Sequence, residues 1–262
     1  MPYKTIDFSK FSSIRIGPKI DVFLIEDEHY PENHTLIGMA NNLLISPTPP
    51  PLMMLSKKYD SLHVSEDILH IGAATPSGKI LSFCKKHNIG GFEFLSRLPG
   101  TLGGMLKMNA GLKEHEIFNQ LLAIRTKEGW IEKKDLEYGY RFTNIEDVVF
   151  EASFTCKEGF SSEKLDLFKS MRSNQPHNPS AGSTFKNPPN DYAGRLIEAV
   201  GLRGERIGDM AFSEVHANFL VNLGKGTFEE AMELITLAEH QVREDLGISL
   251  EREIIVIEAS KG

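Results

Sequence analysis

HANFLVNLGKGTFEEAMELITLAEHQVREDLGISLEREIIVIEA, residues 216–259, predicts a strand, a long helix and a second strand in one unbroken run. The apolar segment HANFLVN, 216–222, suits a strand. Thr227 stands three residues before Glu230, the spacing of a capping box in which the cap is worth about 1 kcal/mol. Ala231, Leu234, Ile235, Ala238 and Val242 then recur at helical spacing, and Gly247 supplies a C-terminal stop, so a helix is expected over 228–246. In LEREIIVIEA the alternation puts Glu253 on the side of Glu251 and gives Val256 the parity of Ile254. Between strand and helix, NLGKGT places a lysine after a glycine without the full phosphate-binding loop pattern, and it reads as a turn.

Working outward, the first third offers short strand-like runs: IDVFLIE at 20–26, HTLIG at 34–38, LMMLS at 52–56 and LHIGA at 69–73. SGKILSFCKKHN, 77–88, spaces Ile80, Leu81 and Cys84 for one helix face. GFEFLSRLPGTLGGMLKMNAG, 91–111, carries too many glycines for an ordinary uninterrupted helix. LLAIRT at 121–126 and VVFEASFTC at 148–156 return to strand character, and helices are expected over 162–172 and 192–201. Strands and helices mix without a regular strand-helix repeat, which predicts an α+β fold over a doubly wound sheet.

At 262 residues and 40% hydrophobic content the chain can build two or three modest domains. It holds no run near the ~18–20 apolar residues that cross a bilayer, and MPYKTIDFSKF lacks the apolar stretch of a secretory signal, so a cytoplasmic protein is expected. Cys84 and Cys156 lie in apolar segments and read as core thiols. The net charge of −7 is dispersed, which disfavours nucleic acid and anionic membrane as partners. No HExxH occurs, the pair His115-Glu116 leads only to Ile117 and Phe118, and no metal is expected.

Several segments could do chemistry. LIGMANNLLI, 36–45, opens into a glycine turn whose backbone N–H groups, with Asn41 and Asn42, could cradle phosphate; it also reads as a plain turn between strands. LPGTLGGMLKMNAG can bring backbone close to a pyrophosphate, though it is not GxGxxG after a strand. Arg141 in EYGYRFTN could grip a carboxylate with two prongs or lie at the surface. Glu253 could face solvent or a cleft. AGSTFKNP, 181–188, exposes a serine hydroxyl among small residues; by itself it reads as a solvated turn entering the helix near Tyr192.

Taken in order, LIGMANNLLI, GFEFLSRLPGTLGGMLKMNAG, YGYRFTN, PSAGSTFKNP, AGRLIEAVGLRGERIGDMAFSEVHANFLVN and LEREIIVI resemble the UDP-N-acetylenolpyruvoylglucosamine reductase family. The match runs from about residue 15 to 257, and PGTLGG and AGSTFKNP are its most specific parts. The resemblance implies a two-subdomain FAD-binding module of the PCMH type, 1–56 and 57–160, followed by a C-terminal α+β substrate domain, 161–262. It implies non-covalent FAD with its pyrophosphate near Gly38, Met39, Ala40, Asn41, Asn42 and Leu43, and further contacts from Pro99, Gly100, Thr101, Gly103, Gly104, Asn109, Ala110 and Gly111. NADPH would be the electron donor and UDP-N-acetylglucosamine enolpyruvate the substrate, with the enzyme a monomer.

The family motif places its proton-donating serine on Ser183, its arginine on Arg141 and its carboxylate on Glu253. Asn187 matches a substrate-contacting asparagine, with Lys186 and Gly182 beside the substrate. The usual glycine-serine-asparagine of the first cofactor turn is replaced here by Met39-Ala40-Asn41-Asn42, and Leu112-Lys113-Glu114 stands where the family often has alanine-tyrosine-glycine. The short interval between Arg141 and Ser183 matches the shorter family form, which lacks an extra tyrosine-bearing loop. Two other readings stand beside this one: an FAD-dependent oxidase or dehydrogenase acting on a lactone or hydroxy acid, and a catalytically silent nucleotide-binding protein.

Overall fold

A computed structural model describes residues 2–171 and 174–259. The chain forms two compact units and passes between them more than once. The first comprises the described residues within Met1–Tyr3, Phe23–Met39 and Leu52–Ser173; the second, those within Lys4–Val22, Ala40–Pro51 and Asn174–Gly262.

The centre of the first unit is a five-stranded antiparallel sheet in the order Gly129–Glu132, Leu121–Thr126, Glu151–Thr155, Ile68–Gly72, Leu62–Ser65. Alternation sorts its faces: Leu69, Ile71, Ile124, Ala152 and Phe154 point into the core, while His70 and Arg125 fall on the other side. Ile80 and Cys84 of the helix Ser77–Lys86 and Phe168 of the helix Ser162–Met171 fill the same core. The last position of that expected helix, 172, lies outside the described residues. Burial pushes the Cys84 thiol up to about 12, so it is a packing group; Cys156 is half-buried. A parallel patch pairs Phe23 with Met53 and Leu36 with Met53 across three short strands.

The stretch 91–111 breaks as its glycines predict, into a 3-10 segment Glu93–Arg97 and a six-residue helix Leu102–Lys107. That helix nevertheless runs through Gly103 and Gly104, because tertiary bonds start it: Leu102 N–H donates to Thr75 O at 3.0 Å and Gly103 N–H to Ala73 O at 2.8 Å. A Cβ on Gly103 would stand 3.3 Å from Ala73 O, so the missing side chain permits the approach.

In the second unit a four-stranded antiparallel sheet runs Ser180–Ser183, Phe219–Asn222, Met210–Phe212, Arg206–Ile207. The helix Phe228–Leu246 has the expected bounds, with the Thr227/Glu230 capping box formed and Gly247 left-handed at φ 69°. All five residues of its apolar face are fully buried, and Ala231, Leu234, Ile235 and Ala238 pack with Ile14, Leu44, Phe185, Phe212 and Leu220. Burying such a Leu or Ile contributes roughly 1.5–3 kcal/mol.

Two expected strands are shorter than their apolar runs. His216, Ala217 and Asn218 form a turn, closed by Phe219 N–H to His216 O at 3.0 Å, before the strand begins. At the end of the chain only Ile255–Ile257 is a strand, parallel to Leu43–Ile45, because the preceding residues answer to a different partner: both Glu253 and Ile254 donate to Thr184 O. The alternation therefore slips, with Ile254 and Ile257 buried and Ile255 48% exposed. No helix among the described residues is long and apolar enough to cross a membrane.

Candidate active site

Strand pairing ends where Ile37 N–H donates to Met53 O. In the turn that follows, the amides of Gly38, Met39, Ala40 and Asn41 donate no hydrogen bond among the described residues. Ala40 takes a left-handed φ of 52° and is buried. The turn is fastened from its other atoms: Ser13 N–H donates to Ala40 O at 3.2 Å and Ser13 Oγ to Asn41 Oδ1 at 2.6 Å. Asn42 Nδ2 donates to Glu253 O at 2.9 Å, and Asn42 O accepts from Ile255 N–H. The two asparagines thus hold the turn's shape, Leu43 begins the buried strand behind it, and the row of amides is left as the donor set.

Gly38 faces the second glycine turn. A Cβ built on Gly38 would lie 3.4 Å from Thr101 Oγ1 and 4.0 Å from Gly104 Cα. Exposed Pro99 leads into this turn, Gly100 sits at φ 136°, and the carbonyl of Gly100 accepts from Ser77 N–H at 2.9 Å. The amides of Gly100, Thr101 and Gly104 likewise donate to nothing among the described residues. Two turns that open on glycine, each carrying unbonded N–H groups, suit an acceptor-rich diphosphate.

Asn109 has a different place. It is fully buried at φ 42°, and its Nδ2 donates to Glu116 Oε2 at 2.8 Å and Gly139 O at 3.1 Å while its Oδ1 accepts from Phe118 N–H at 3.3 Å. Its side chain ties the end of the glycine helix to the hairpin formed by Tyr138–Gly139 and Phe142–Thr143. Ala110 is buried beside it, and Gly111 has no room for a side chain, since a Cβ would meet His115 O at 2.3 Å. Gly111 O accepts from Arg141 Nη2 at 2.9 Å. Arg141 itself ends the two-residue hairpin turn at φ 54°, a left-handed conformation that costs a non-glycine residue about 1 kcal/mol, and its guanidinium lies 5.1 Å from the centre of the Tyr140 ring. A strained turn, a carbonyl and an aromatic face together aim one guanidinium.

In the second unit AGSTFKNP is not a solvated turn. Ser180 pairs with Val221 and Ser183 with Phe219, so the first strand advances three residues against two, a bulge at Ala181 and Gly182. Ala181 packs into the core; Gly182, at φ 80°, supplies the bulge geometry, and a Cβ there would meet open space. The bulge turns Ser183 partly outward, and its hydroxyl has no hydrogen-bond partner among the described residues. The next residue anchors it: Thr184 N–H donates to Asn218 O at 2.7 Å, and Thr184 O accepts the Glu253 amide at 2.9 Å. Ser183 and Glu253, 70 positions apart in sequence, therefore lie on adjoining backbone.

Beyond them, Asn187 Oδ1 accepts from Ala193 N–H at 3.1 Å at the start of the helix Ala193–Ala199, and Lys186 Nζ pairs with Glu251 Oε1 at 2.6 Å. Sequence reading missed two supports. Asn218, 3% exposed, clamps Phe185 by accepting from its N–H at 2.9 Å and donating to its carbonyl at 2.8 Å. His216 Nδ1 accepts from Asn218 N–H at 3.3 Å, and burial, with the Arg203 charge adding to it, holds that imidazole below its ordinary pKa. The available signal was a polar residue at each of these places in an otherwise apolar run.

Residues 175–257 match the family described as UDP-N-acetylenolpyruvoylglucosamine reductase, C-terminal domain. The chain is 47% identical over 258 residues to the UDP-N-acetylenolpyruvoylglucosamine reductase of Helicobacter hepaticus, covering 97% of this chain and 98% of that protein. It is 48% identical over 257 residues to the reductase of the same name from Campylobacter jejuni, covering 96% and 99%. The crystal structure of UDP-N-acetylenolpyruvylglucosamine reductase from Thermus caldophilus superposes with a TM-score of 0.86 at 26% identity, over 98% of this chain and 99% of that one.

Proposed function

The chain belongs to the UDP-N-acetylenolpyruvoylglucosamine reductase family, and we propose that it performs that reduction with Arg141, Ser183 and Glu253 as its working side chains, non-covalent FAD as cofactor and NADPH as donor. The enzyme reduces the enolpyruvyl group of UDP-N-acetylglucosamine enolpyruvate to give UDP-N-acetylmuramate in peptidoglycan precursor synthesis. Similarity over nearly the whole length of named reductases carries the reduction itself and leaves the oxidase and silent-binder readings without support.

The unbonded amides of the Gly38–Asn41 turn and of Gly100, Thr101 and Gly104 support the assignment of the FAD pyrophosphate to these residues. When bound, FAD supplies the hydride chemistry that links NADPH to the terminal carbon of the enolpyruvyl group. Arg141 holds the substrate carboxylate, onto which negative charge spreads as the adjacent carbon becomes basic. Its planar fork, aimed by Gly111 O, contributes about 3 kcal/mol if it matches one oxyanion donor. The Ser183 hydroxyl delivers a proton to that carbon. It is a weak acid in water, but with no acceptor among the described residues its proton is available, and such positioned transfer contributes ~10²–10⁴-fold. Glu253 orients the charged intermediate, while Asn187, Lys186 and Gly182 stand beside the sugar nucleotide.

The functional division we propose is a first flavin-binding part at 1–56, a second at 57–160 that contains the whole five-stranded sheet, and a substrate part at 161–262 that contains the whole four-stranded one. We assign the enzyme to the cytoplasm as a monomer. The test is direct: under anaerobic conditions purified protein should oxidise NADPH beyond one equivalent per flavin only when UDP-N-acetylglucosamine enolpyruvate is added, with UDP-N-acetylmuramate identified by mass. Sustained anaerobic NADPH turnover with the substrate present but without that product would sink the assignment.

A further inference from the structure

On the face of the five-stranded sheet opposite its core, His63 and His70 stand directly across from one another on neighbouring antiparallel strands. Their rings are stacked at 4.8 Å between centroids and 6° between planes. Glu151, on the strand beyond, accepts from or shares a proton with His70 Nδ1 at 3.0 Å. One potential ligand atom from each of the three lies within 4.8 Å of the other two. The geometry points to a binding site for one divalent transition-metal ion of the zinc class, held by His63, His70 and Glu151.

Two imidazoles and a carboxylate form a nitrogen-rich set that suits zinc, nickel or copper and disfavours calcium and magnesium. Ligands of a tetrahedral zinc ion stand ~3.4 Å apart when each bond is about 2.0–2.1 Å. His70 and Glu151 stand at 3.0 Å and need to part by only a few tenths of an ångström, and exposed His63 closes the remaining gap by rotating its side chain. Three protein ligands leave a fourth position for water. Local charge is compatible: Arg125 Nε lies 3.7 Å from Glu151, but its Nη1 is paired with Glu28 at 2.7 Å. A bound ion would fasten the edge strand Leu62–Ser65 to two interior strands. No short motif announces the site, because its residues converge only through strand register.

The protein carries its own reporter. Trp130, the one tryptophan in the sequence, lies with its ring 6.1 Å from that of His70. Tag-free, chelator-stripped protein is titrated with Ni²⁺ at pH 7.5 while tryptophan emission is followed. The expected result is saturable quenching at one equivalent, reversed by chelator and displaced by Zn²⁺, with Mg²⁺ inert. His63→Gln on the exposed edge strand, and separately Glu151→Gln, should each weaken binding by at least the ~10–100-fold that loss of a mere supporting partner costs a metal site. Circular dichroism checks that both variants fold. Absence of saturable quenching into the millimolar range, or quenching of unchanged affinity in His63→Gln, would overturn the site.

Discussion

Arg141 is the residue whose neighbours determine most about it. Its reach is set by the Gly111 carbonyl, and Gly111 is glycine because its Cβ would collide with His115 O at 2.3 Å. Gly111→Ala should therefore act at a distance, displacing the carbonyl and costing about 100-fold in turnover, the usual penalty for an ångström of misplacement. Arg141→Lys should be damaging as well, since an ammonium cannot reproduce the planar two-pronged contact. Steady-state kcat of both variants checks the pair; wild-type kcat in Gly111→Ala would detach that carbonyl from the mechanism. At this scale the sequence showed which residues matter but not how they are held. Asn41, Asn42 and Asn109 were named as cofactor contacts, and their side chains also hold turns together, through bonds to Ser13, Glu253 and Gly139 that join separate stretches of the chain.

Among the elements, the long helix was the most legible because every signal for it is local. The cap, the apolar stripe and the terminal glycine all lie within residues 227–247, and the structure matches them to the residue. Thr227→Ala removes the acceptor of the Glu230 N–H and should lower unfolding stability by about 1 kcal/mol, read from urea midpoints. An unchanged midpoint would mean the cap contributes nothing. The AGSTFKNP segment was the least legible, because its conformation is imposed from outside. Its small residues read as a loop, and only pairing with Phe219–Asn222 makes it a bulged strand. The final apolar run misled for a related reason: half of it answers to Thr184 and half to Leu43–Ile45, and no alternation pattern encodes a change of partner.

For the molecule as a whole, α+β architecture followed from the irregular order of strands and helices, whereas the passage of the chain between two compact units did not, since nothing in a local window says where residues 4–22 or 40–51 return. Global stability should carry a mark of His216. Its folded pKa lies below the ordinary 6.5, so the unfolded chain binds the extra proton first. Stability is then complete above about pH 6.5 and declines as pH falls from there toward the lowered folded value. Urea midpoints at pH 7.5 and 5.5 should differ less in His216→Gln than in the parent; an equal difference would assign the loss to other groups. The account's central claim is that Ser183 supplies the proton that completes the reduction. It is tested most directly with anaerobic Ser183→Ala protein, given limiting NADPH and then UDP-N-acetylglucosamine enolpyruvate. NADPH should bleach the flavin spectrum as in the parent, and the substrate should fail to restore it; recovery of the oxidised spectrum at the parent's rate would contradict the role of Ser183.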